Sequence, residues 1–354
     1  MDKLFSNKIT FFSFFYSLLI ICYHANANVN FENIVKNDSY ADKAALVIDT
    51  FFTESGGTFF FIILSAFLLY YNLTRKNVKD KLIRRVKTLL VPWLIWNLIG
   101  TISSYRSWNK GIIYILSYYL TSRYWEALWF VQMLMLMLLF IPVITWIFKI
   151  KHVRELVLVL LFLLSYYNWP FVQEMNVFTS VRFKNEVLRM LAHLPMYCFV
   201  AYMGLNWSDS ILRESYNSNK KVKIGGALLL ILSISLSGTF PGYVLKTLQS
   251  VFLWVLFDKN FFRFKIQWWM QISFYTYAIH SFILHWEGKL IKLSGIFAEE
   301  FQYSTVSIRF ALLWRLSLSG MTFVLVALSA YILIRFAPRV YELLSGGRVP
   351  KEDM

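Results

Sequence analysis

Apolar residues in this chain are collected into long blocks separated by short polar segments. The blocks are about 17 to 25 residues long, the length that a helix needs to cross about 30 Å of hydrocarbon. The block at 111–120, GIIYILSYYL, is too short to span and is predicted to be interfacial or re-entrant. About ten spans are predicted, near residues 9–25, 57–73, 88–105, 127–148, 153–169, 187–205, 223–238, 241–257, 267–287 and 308–335. The expected fold class is therefore all-α, a polytopic transmembrane helical bundle.

Composition supports the membrane assignment and removes other classes. Of the 354 residues, 58% are hydrophobic and only 16% are charged, whereas soluble domains carry roughly a quarter charged residues. The net charge of +16 does not indicate a nucleic-acid partner, because the positive residues lie in short segments between apolar blocks. The two cysteines, Cys22 and Cys198, lie inside apolar blocks and form neither a disulfide framework nor a metal-ligand spacing.

The connecting segments alternate in charge, which predicts their sides of the membrane. The segment 74–87, TRKNVKDKLIRRVK, holds seven Lys or Arg and one Asp, whereas 25–56 holds five acids and two lysines. Basic segments stay in the cytoplasm, so both termini are predicted to be cytoplasmic. Residues 1–354 are predicted to form a single membrane domain, with 338–354 as a short cytoplasmic tail. The outer segments are predicted to be 25–56, 105–126, 170–186 and 288–307.

The first apolar block has two incompatible interpretations. Lys3 and Lys8 precede it, and the small residues 25–27 follow it, as in a secretory signal with its cleavage site. The same residues also predict a first transmembrane helix that carries His24 near the outer face of the membrane. Charge does not decide, because cleavage after Ala27 would leave the other spans in the same orientation.

Five motifs along the apolar blocks together resemble a known family. They are ESGGTFFFIILSAFLLYYNL (54–73), LIRRVKTLLVPWLIWNLIG (82–100), ALWFVQMLMLMLLFIPVI (127–144), HLPMYCFVAYMG (193–204) and SFYTYAIHSFIL (273–284). In their order and spacing they resemble acyltransferase family 3, the integral-membrane O-acyltransferases, and the resemblance covers nearly the whole chain. The family's motif positions are filled here by Gly56, Gly57, Phe60, Phe61, Ser65, Phe67, Arg85, Pro92 and Trp93.

The resemblance implies a function and a location. It implies a multi-pass protein of the cytoplasmic (inner or plasma) membrane, in contact with membrane lipids. Such a protein would transfer an acyl group, most commonly acetyl, from cytoplasmic acyl-CoA (acetyl-CoA) to a hydroxyl of a cell-surface or lipid-linked polysaccharide, with no metal. No SGNH-type domain is expected after the last span, so transfer would finish in the membrane domain or on a separate partner. The alternative is a polysaccharide or lipid-linked glycan exporter or flippase; a membrane sensor or scaffold is a third option.

By the same resemblance, His24 takes the place of the family's catalytic first-helix histidine, so the first block is expected to be retained. A titratable group inside a span is by default a functional candidate, and imidazole can act near pH 7 as a base or as an acyl relay. The alternative is an interfacial histidine bonded to lipid headgroups. Asp49 and Glu54 precede the second span on the same side and are candidates to orient His24. The alternative is that Asp49 and Glu54 are solvated acids of the connecting segment.

Two positions depart from the family pattern. The arginine that the family often places eleven residues before the histidine is Ser13 here, and the nearest cation is Lys8. The glycine that usually follows the serine of the second helix is Ala66.

Candidate donor-binding residues lie at the cytoplasmic side and deep in the last span. Arg84, Arg85 and Lys87 could hold the phosphates of CoA, although they also suit topology and anionic lipid. The motif residue Ser65 is a further donor-binding candidate. Arg315 lies about seven residues into the last span, too deep to reach the surface easily. It is predicted to face the interior, where it would bind an acyl carbonyl, supply the cation absent at position 13 or pair with an acid.

His280, His193 and Trp129 are predicted to line the acceptor pocket. The alternatives are hydrogen bonding between helices for His280 and an aromatic belt for Trp129. His280 and His285 are five residues apart, about 140° around a helix, so they do not form a metal-binding pair. His285, beside Trp286 and Glu287, is predicted to be interfacial.

Overall fold

The structure, a computed structural model, is almost entirely helical. In chain order its elements are α1 (Lys3–Ala25), β1 (Asn33–Val35), α2 (Tyr40–Glu54), α3 (Gly57–Tyr70), α4 (Val78–Arg85), α5 (Val91–Ser103), α6 (Ile112–Leu120), α7 (Trp129–Leu138), α8 (Ile141–Ile147), α9 (Val181–Asn206), α10 (Lys220–Ser235), α11 (Gly242–Leu256), α12 (Ser273–Ser294), β2 (Thr305–Ser307), α13 (Ile308–Phe336) and α14 (Pro338–Ser345). The residues described are 2–25, 33–35, 39–54, 57–74, 76–104, 109–123, 125–150, 153–161, 163, 181–206, 220–236, 242–294 and 305–350.

The chain divides into two compact units. The first takes its residues from 1–60, 214–341 and 348–354, and the second from 61–213 and 342–347. The first unit therefore holds α1, α2 and α10 to α13, and the second holds most of α3 together with α4 to α9.

Within the described ranges, three helices are long and apolar enough to cross a membrane. They are Lys3–Ala25, Val78–Ser103 and Ile308–Phe336. Two further helix pairs pass the same test together, and counting each pair as one span raises the number to five. Ten spans and cytoplasmic termini stay predictions.

The bent pair of α7 and α8 turns by 58° at a break of a few residues. Pro142 lies in the first turn of α8, where its missing N–H costs nothing. In a continuous helix its ring would clash with the carbonyl of residue 138, so the break before it follows from the sequence. Pro92 has a similar effect: residues 86–90 form a π-helical turn directly before α5, which opens the backbone ahead of the proline.

The structure differs from the sequence prediction between residues 25 and 56. This segment, expected to be an outer loop, contains the helix α2, whose Ala45 packs with Ile308 and Leu312 of α13. The side of α2 that faces α13 also carries Asp42 and Asp49, which pair with arginines of α13. These acids lower the mean hydropathy of the segment, so no span is predicted there. Two three-residue strands also depart from the all-α prediction: β1 pairs in parallel with β2, with Ile34 opposite Val306.

Helices α1, α12 and α13 form the part of the first unit that positions the candidate site. Ser17 of α1 donates to the carbonyl of Ser273 (3.2 Å), and two turns later on both helices His24 contacts His280, so α1 and α12 run in the same direction. The helix α13 runs the opposite way. Its small core against α1 and α12 consists of Ile21, Ala25, Leu284 and Leu318.

In the second unit, close backbone approach joins α9 to α3. A Cβ atom at Gly204 would lie 3.1 Å from the Cβ of Tyr70 and 3.2 Å from the carbonyl oxygen of Phe67. This is the glycine of the HLPMYCFVAYMG motif, and the contact explains why a residue without a side chain suits that position.

Candidate functional site

Two histidines meet in the first unit. His24 lies in the last turn of α1 and is partly buried, and its ring centroid is 5.0 Å from that of His280 on α12, with the ring planes tilted by 46°. The ring of Tyr23, next to His24 in the chain, is more than half exposed and stands nearly perpendicular to the imidazole at 5.2 Å. His24 therefore lies between a buried histidine and the surface of the unit.

The hydrogen bonding of His280 determines its tautomer. Its Nδ1 lies 2.7 Å from the carbonyl oxygen of Tyr277. Since a carbonyl oxygen can only accept, Nδ1 carries the hydrogen and Nε2 of the neutral ring is an acceptor. Nε2 is buried and has no hydrogen-bond partner among the residues that the structure describes. The site thus holds, beside His24, a buried acceptor nitrogen whose hydrogen bond no described residue supplies.

Asp49 and Arg315, predicted as an orienting acid and a donor-binding cation, form an ion pair with each other. The Arg315 Nη1 donates to the Asp49 Oδ1, and both side chains are largely buried. A second pair, Arg309 with Asp42 at 2.7 Å, joins the same two helices nearer the start of α13. Asp49 is thus an interior acid packed against Arg315, one of the alternatives given for this arginine. The side chain of Glu54, the other candidate orienting acid, lies outside the described residues.

The donor-binding candidates of the basic segment lie in the second unit. The Arg85 guanidinium donates to the Ser65 hydroxyl (3.2 Å) and to the Ser65 carbonyl (2.9 Å), so these two motif residues join α4 to α3. Arg84 and Lys87 are exposed. The nearby Lys81 donates to backbone carbonyls at the end of α3.

Two acceptor-pocket candidates also lie in the second unit. His193 is buried in α9, and its ring centroid is 5.7 Å from that of Trp129 at the start of α7. The structure thus brings His193 and Trp129 together in the second unit and His280 and His24 together in the first.

Ser13, where the family often has arginine, is buried on α1. Lys8, the nearest cation, is also fully buried, and its ammonium lies 4.0 Å from the centroid of the Trp254 ring. Aromatic faces attract cations, and desolvation strengthens this attraction. The first unit therefore retains a buried positive group on α1, at the end of that helix opposite His24.

Sequence reasoning missed a buried carboxyl group. Glu287, named in the sequence analysis only as a neighbour of His285, is just 3% exposed, whereas His285 and Trp286 are exposed. Its Oε2 accepts a hydrogen bond from Thr322 of α13 at 2.7 Å. The signal was in the spacing: Glu287 follows His280 by seven residues, two helical turns, and so shares its face of α12.

Two carboxyl groups at helix ends of the first unit, Asp258 and Asp2, are paired with lysines. Asp258 accepts from the Lys223 ammonium at 2.9 Å and caps the turn that follows it. The hydrogen bond from Lys223 lowers the pKa of Asp258 below its ordinary value. Asp2 accepts from Lys259 at 2.6 Å, and this hydrogen bond lowers the pKa of Asp2 in the same way. Asp2 precedes α1 and Asp258 follows α11, so both carboxyl groups lie outside the apolar helices.

The fold and these side chains define a class: a helical membrane protein that buries titratable groups between its helices. Such groups are energetically costly there, which makes them functional candidates. The chain matches the family described as acyltransferase domain over residues 14–334, and it belongs to that family, acyltransferase family 3. The resemblance drawn from the motifs is thereby confirmed, and the protein is an acyltransferase. The matched region begins inside α1, so His24 lies within the family domain.

Comparison with curated proteins and comparison with solved structures each gave no match. Within the described part of the chain, no group of three His, Cys, Asp or Glu side chains could hold a metal ion.

Proposed function

We propose that this protein is a multi-pass O-acyltransferase of the cytoplasmic membrane. It takes an acyl group, most commonly acetyl, from cytoplasmic acyl-CoA and transfers it to a hydroxyl of a cell-surface or lipid-linked polysaccharide. Family membership supports the transfer chemistry, and the basic segments between apolar blocks support a cytoplasmic donor.

The observation that carries this proposal is the contact between His24 and His280. Transfer to a hydroxyl needs a base that works near neutral pH, because the hydroxyl's own pKa is far higher. His24 accepts the hydroxyl proton while the oxygen attacks the thioester carbonyl carbon. The tetrahedral intermediate then collapses, the carbon–sulfur bond breaks, and the thiolate of CoA takes the proton from the imidazolium.

A second route uses His24 as a relay. Its ring nitrogen attacks the thioester carbonyl carbon, the carbon–sulfur bond breaks, and the thiolate takes the proton of the other ring nitrogen. The acceptor hydroxyl then attacks the acyl-imidazole carbonyl, the carbon–nitrogen bond breaks, and the departing imidazole takes the hydroxyl proton. In both routes the buried Nε2 of His280 accepts a hydrogen bond from the neighbouring imidazole or from the hydroxyl. Arg84 and Lys87, which are exposed, supply positive charge for the phosphates of CoA on the side proposed to be cytoplasmic.

Mass analysis of the surface glycan from cells with and without the protein tests the proposal. Wild-type protein should add the mass of one acyl group per modified repeat. His24→Ala should leave the glycan at normal abundance but without this mass. The matched control is His285→Ala, which changes an exposed histidine five residues after His280 and should preserve acylation. Acylation that survives His24→Ala would refute the assigned role of His24.

The alternative function, export or flipping of a glycan, makes a different prediction in the same cells. An exporter needs no contact with a thioester, so His24→Ala would spare glycan flux. Loss of the surface polymer itself in cells without the protein, with no change of acyl content, would favour export.

A further inference from the structure

Glu287 is a buried carboxyl group that the proposed transfer step does not use. A carboxyl group placed among apolar helices is costly unless its oxygens find hydrogen-bond donors. Thr322 provides one contact, at 2.7 Å to Oε2, but its single hydroxyl hydrogen is shared with the Leu318 carbonyl at 2.9 Å. Oε1 is buried and has no partner among the described residues. The carboxyl group therefore has capacity for at least one further donor.

The position of Glu287 relates it to the histidine pair. His280, Leu284 and Glu287 follow one another at spacings of four and three residues, so they line one face of α12. Leu284 packs against Ala25, the last residue of α1. Because α1 and α12 run in the same direction, Glu287 lies about one turn beyond this contact, at the end of α1 that carries His24. Along the axis of α12 it is about 10.5 Å from His280.

We propose that Glu287 is an acceptor-binding residue: its free oxygen accepts a hydrogen bond from a hydroxyl of the carbohydrate acceptor, next to the hydroxyl that is acylated. This inference rests on the proposed function. A carbohydrate offers several hydroxyl donors on one ring, so one can meet the carboxyl oxygen while another meets the imidazole of His24. Thr322 fixes the carboxyl group in place by holding its other oxygen. Glu287 thereby selects a polyhydroxylated acceptor over water or a simple alcohol.

The test measures initial rates with purified protein in lipid nanodiscs. The donor is radiolabelled acetyl-CoA, and the acceptor is the surface glycan isolated from cells that lack the protein. Glu287→Met removes both oxygens but keeps the length of the side chain, and an apolar side chain at a buried site is compatible with folding. It should raise the KM for the glycan about tenfold or more, because the acceptor hydroxyl loses its hydrogen bond to the carboxyl oxygen. The KM for acetyl-CoA should stay within about twofold.

Conservative variants and a control separate acceptor binding from a structural role. Glu287→Gln retains one acceptor oxygen and should have an intermediate KM for the glycan. Thr322→Val, which keeps the shape of the side chain, should also raise this KM, and Thr322→Ser should restore it. The matched control Glu155→Met changes an exposed carboxylate paired with Arg154 and should alter neither KM.

The outcomes distinguish the two proposals. If wild-type protein transfers label and Glu287→Met has a KM for the glycan within about twofold of wild type, the inference is overturned and the proposed function stands. A lowered melting temperature with unchanged KM would show Glu287 to be only a contact between α12 and α13. If wild-type protein transfers no label to this glycan, the proposed function falls and the inference falls with it. If Glu287→Met does not fold, the Thr322 series decides by the same KM criterion.

Discussion

Gly57 begins α3 at a point where that helix touches α1, and replacing it with alanine gives the sharpest test of the packing. A Cβ atom there would lie 2.5 Å from the Cγ1 of Ile20 and 2.7 Å from the carbonyl oxygen of Tyr16. The isoleucine side chain can rotate, but the carbonyl belongs to the backbone of α1. To restore a contact of 3.4 Å, the start of α3 must move by about 0.7 Å. Phe60, which stacks on Tyr16 at 4.4 Å one turn later, must move with it.

The expected cost of Gly57→Ala is about 1–3 kcal/mol of unfolding free energy, the range for overpacking in a close-packed core. Gly225, in α10, provides the matched control because nothing lies within 4 Å of its added Cβ. There alanine should stabilise the protein by about 0.5–1 kcal/mol, since glycine is disfavoured inside a helix. Gly204, at 3.1 Å from Tyr70, should fall between the two, because its crowding offsets its helix gain.

Thermal unfolding of the purified variants in one detergent gives the comparison. The melting temperatures should rank Gly225→Ala above wild type, Gly204→Ala near it and Gly57→Ala lowest. A Gly57→Ala variant that melts at or above Gly225→Ala would show that α3 and α1 do not approach as closely as the structure places them.

Three further predictions concern charged side chains. Arg315→Met should lower the free energy of unfolding by about 3 kcal/mol, because it leaves the carboxylate of Asp49 buried without its cation. Adding Asp49→Leu should recover most of this loss, which a double-mutant cycle of thermal unfolding measures. Arg85→Lys should lower the free energy of unfolding by about 1–2 kcal/mol, because an ammonium does not reproduce the contact of two guanidinium nitrogens with Ser65 of α3. The control Arg84→Lys, at an exposed position, should melt like wild type. Equal melting temperatures of the two variants would contradict this. The pKa of Asp258 is lowered in the folded protein, so its ionised form adds at most about 1 kcal/mol to the free energy of unfolding. This stabilisation is complete above the unfolded-state pKa of about 3.9 and is lost as the pH falls through the lower folded-state pKa. Asp258→Asn should therefore reduce the decline in melting temperature below about pH 4, and an unchanged decline would contradict the assignment.

Local sequence was sufficient for the membrane character, the helical class and the family. Hydropathy is a sum over neighbouring residues, so blocks such as 308–335 predict helices without knowledge of the fold. Proline acts on its own turn, so the break ahead of Pro142 also follows locally. The motif order that indicated the family is a linear property as well, and it located His24.

The same local sums failed where a helix carries acids on the side that packs. The helix α2 buries Ala45 against α13 and directs Asp42 and Asp49 to arginines of the same helix, so its mean hydropathy resembles that of a loop. The strands β1 and β2 have only three residues each and are paired across some 270 positions, as Ile34 with Val306, which no window along the chain can detect.

Tertiary structure alone decided the partners of the buried polar groups. The sequence indicated that Arg315 faces an interior partner. The common face of His280 and Glu287 was not predicted, although it follows from helical periodicity, which is intrinsic to the chain. The sequence did not indicate that Asp49 is the partner of Arg315, that His24 contacts His280, or that Thr322 meets Glu287. These contacts join residues on helices far apart in the chain, and which helices become neighbours depends on how all their apolar faces are buried together.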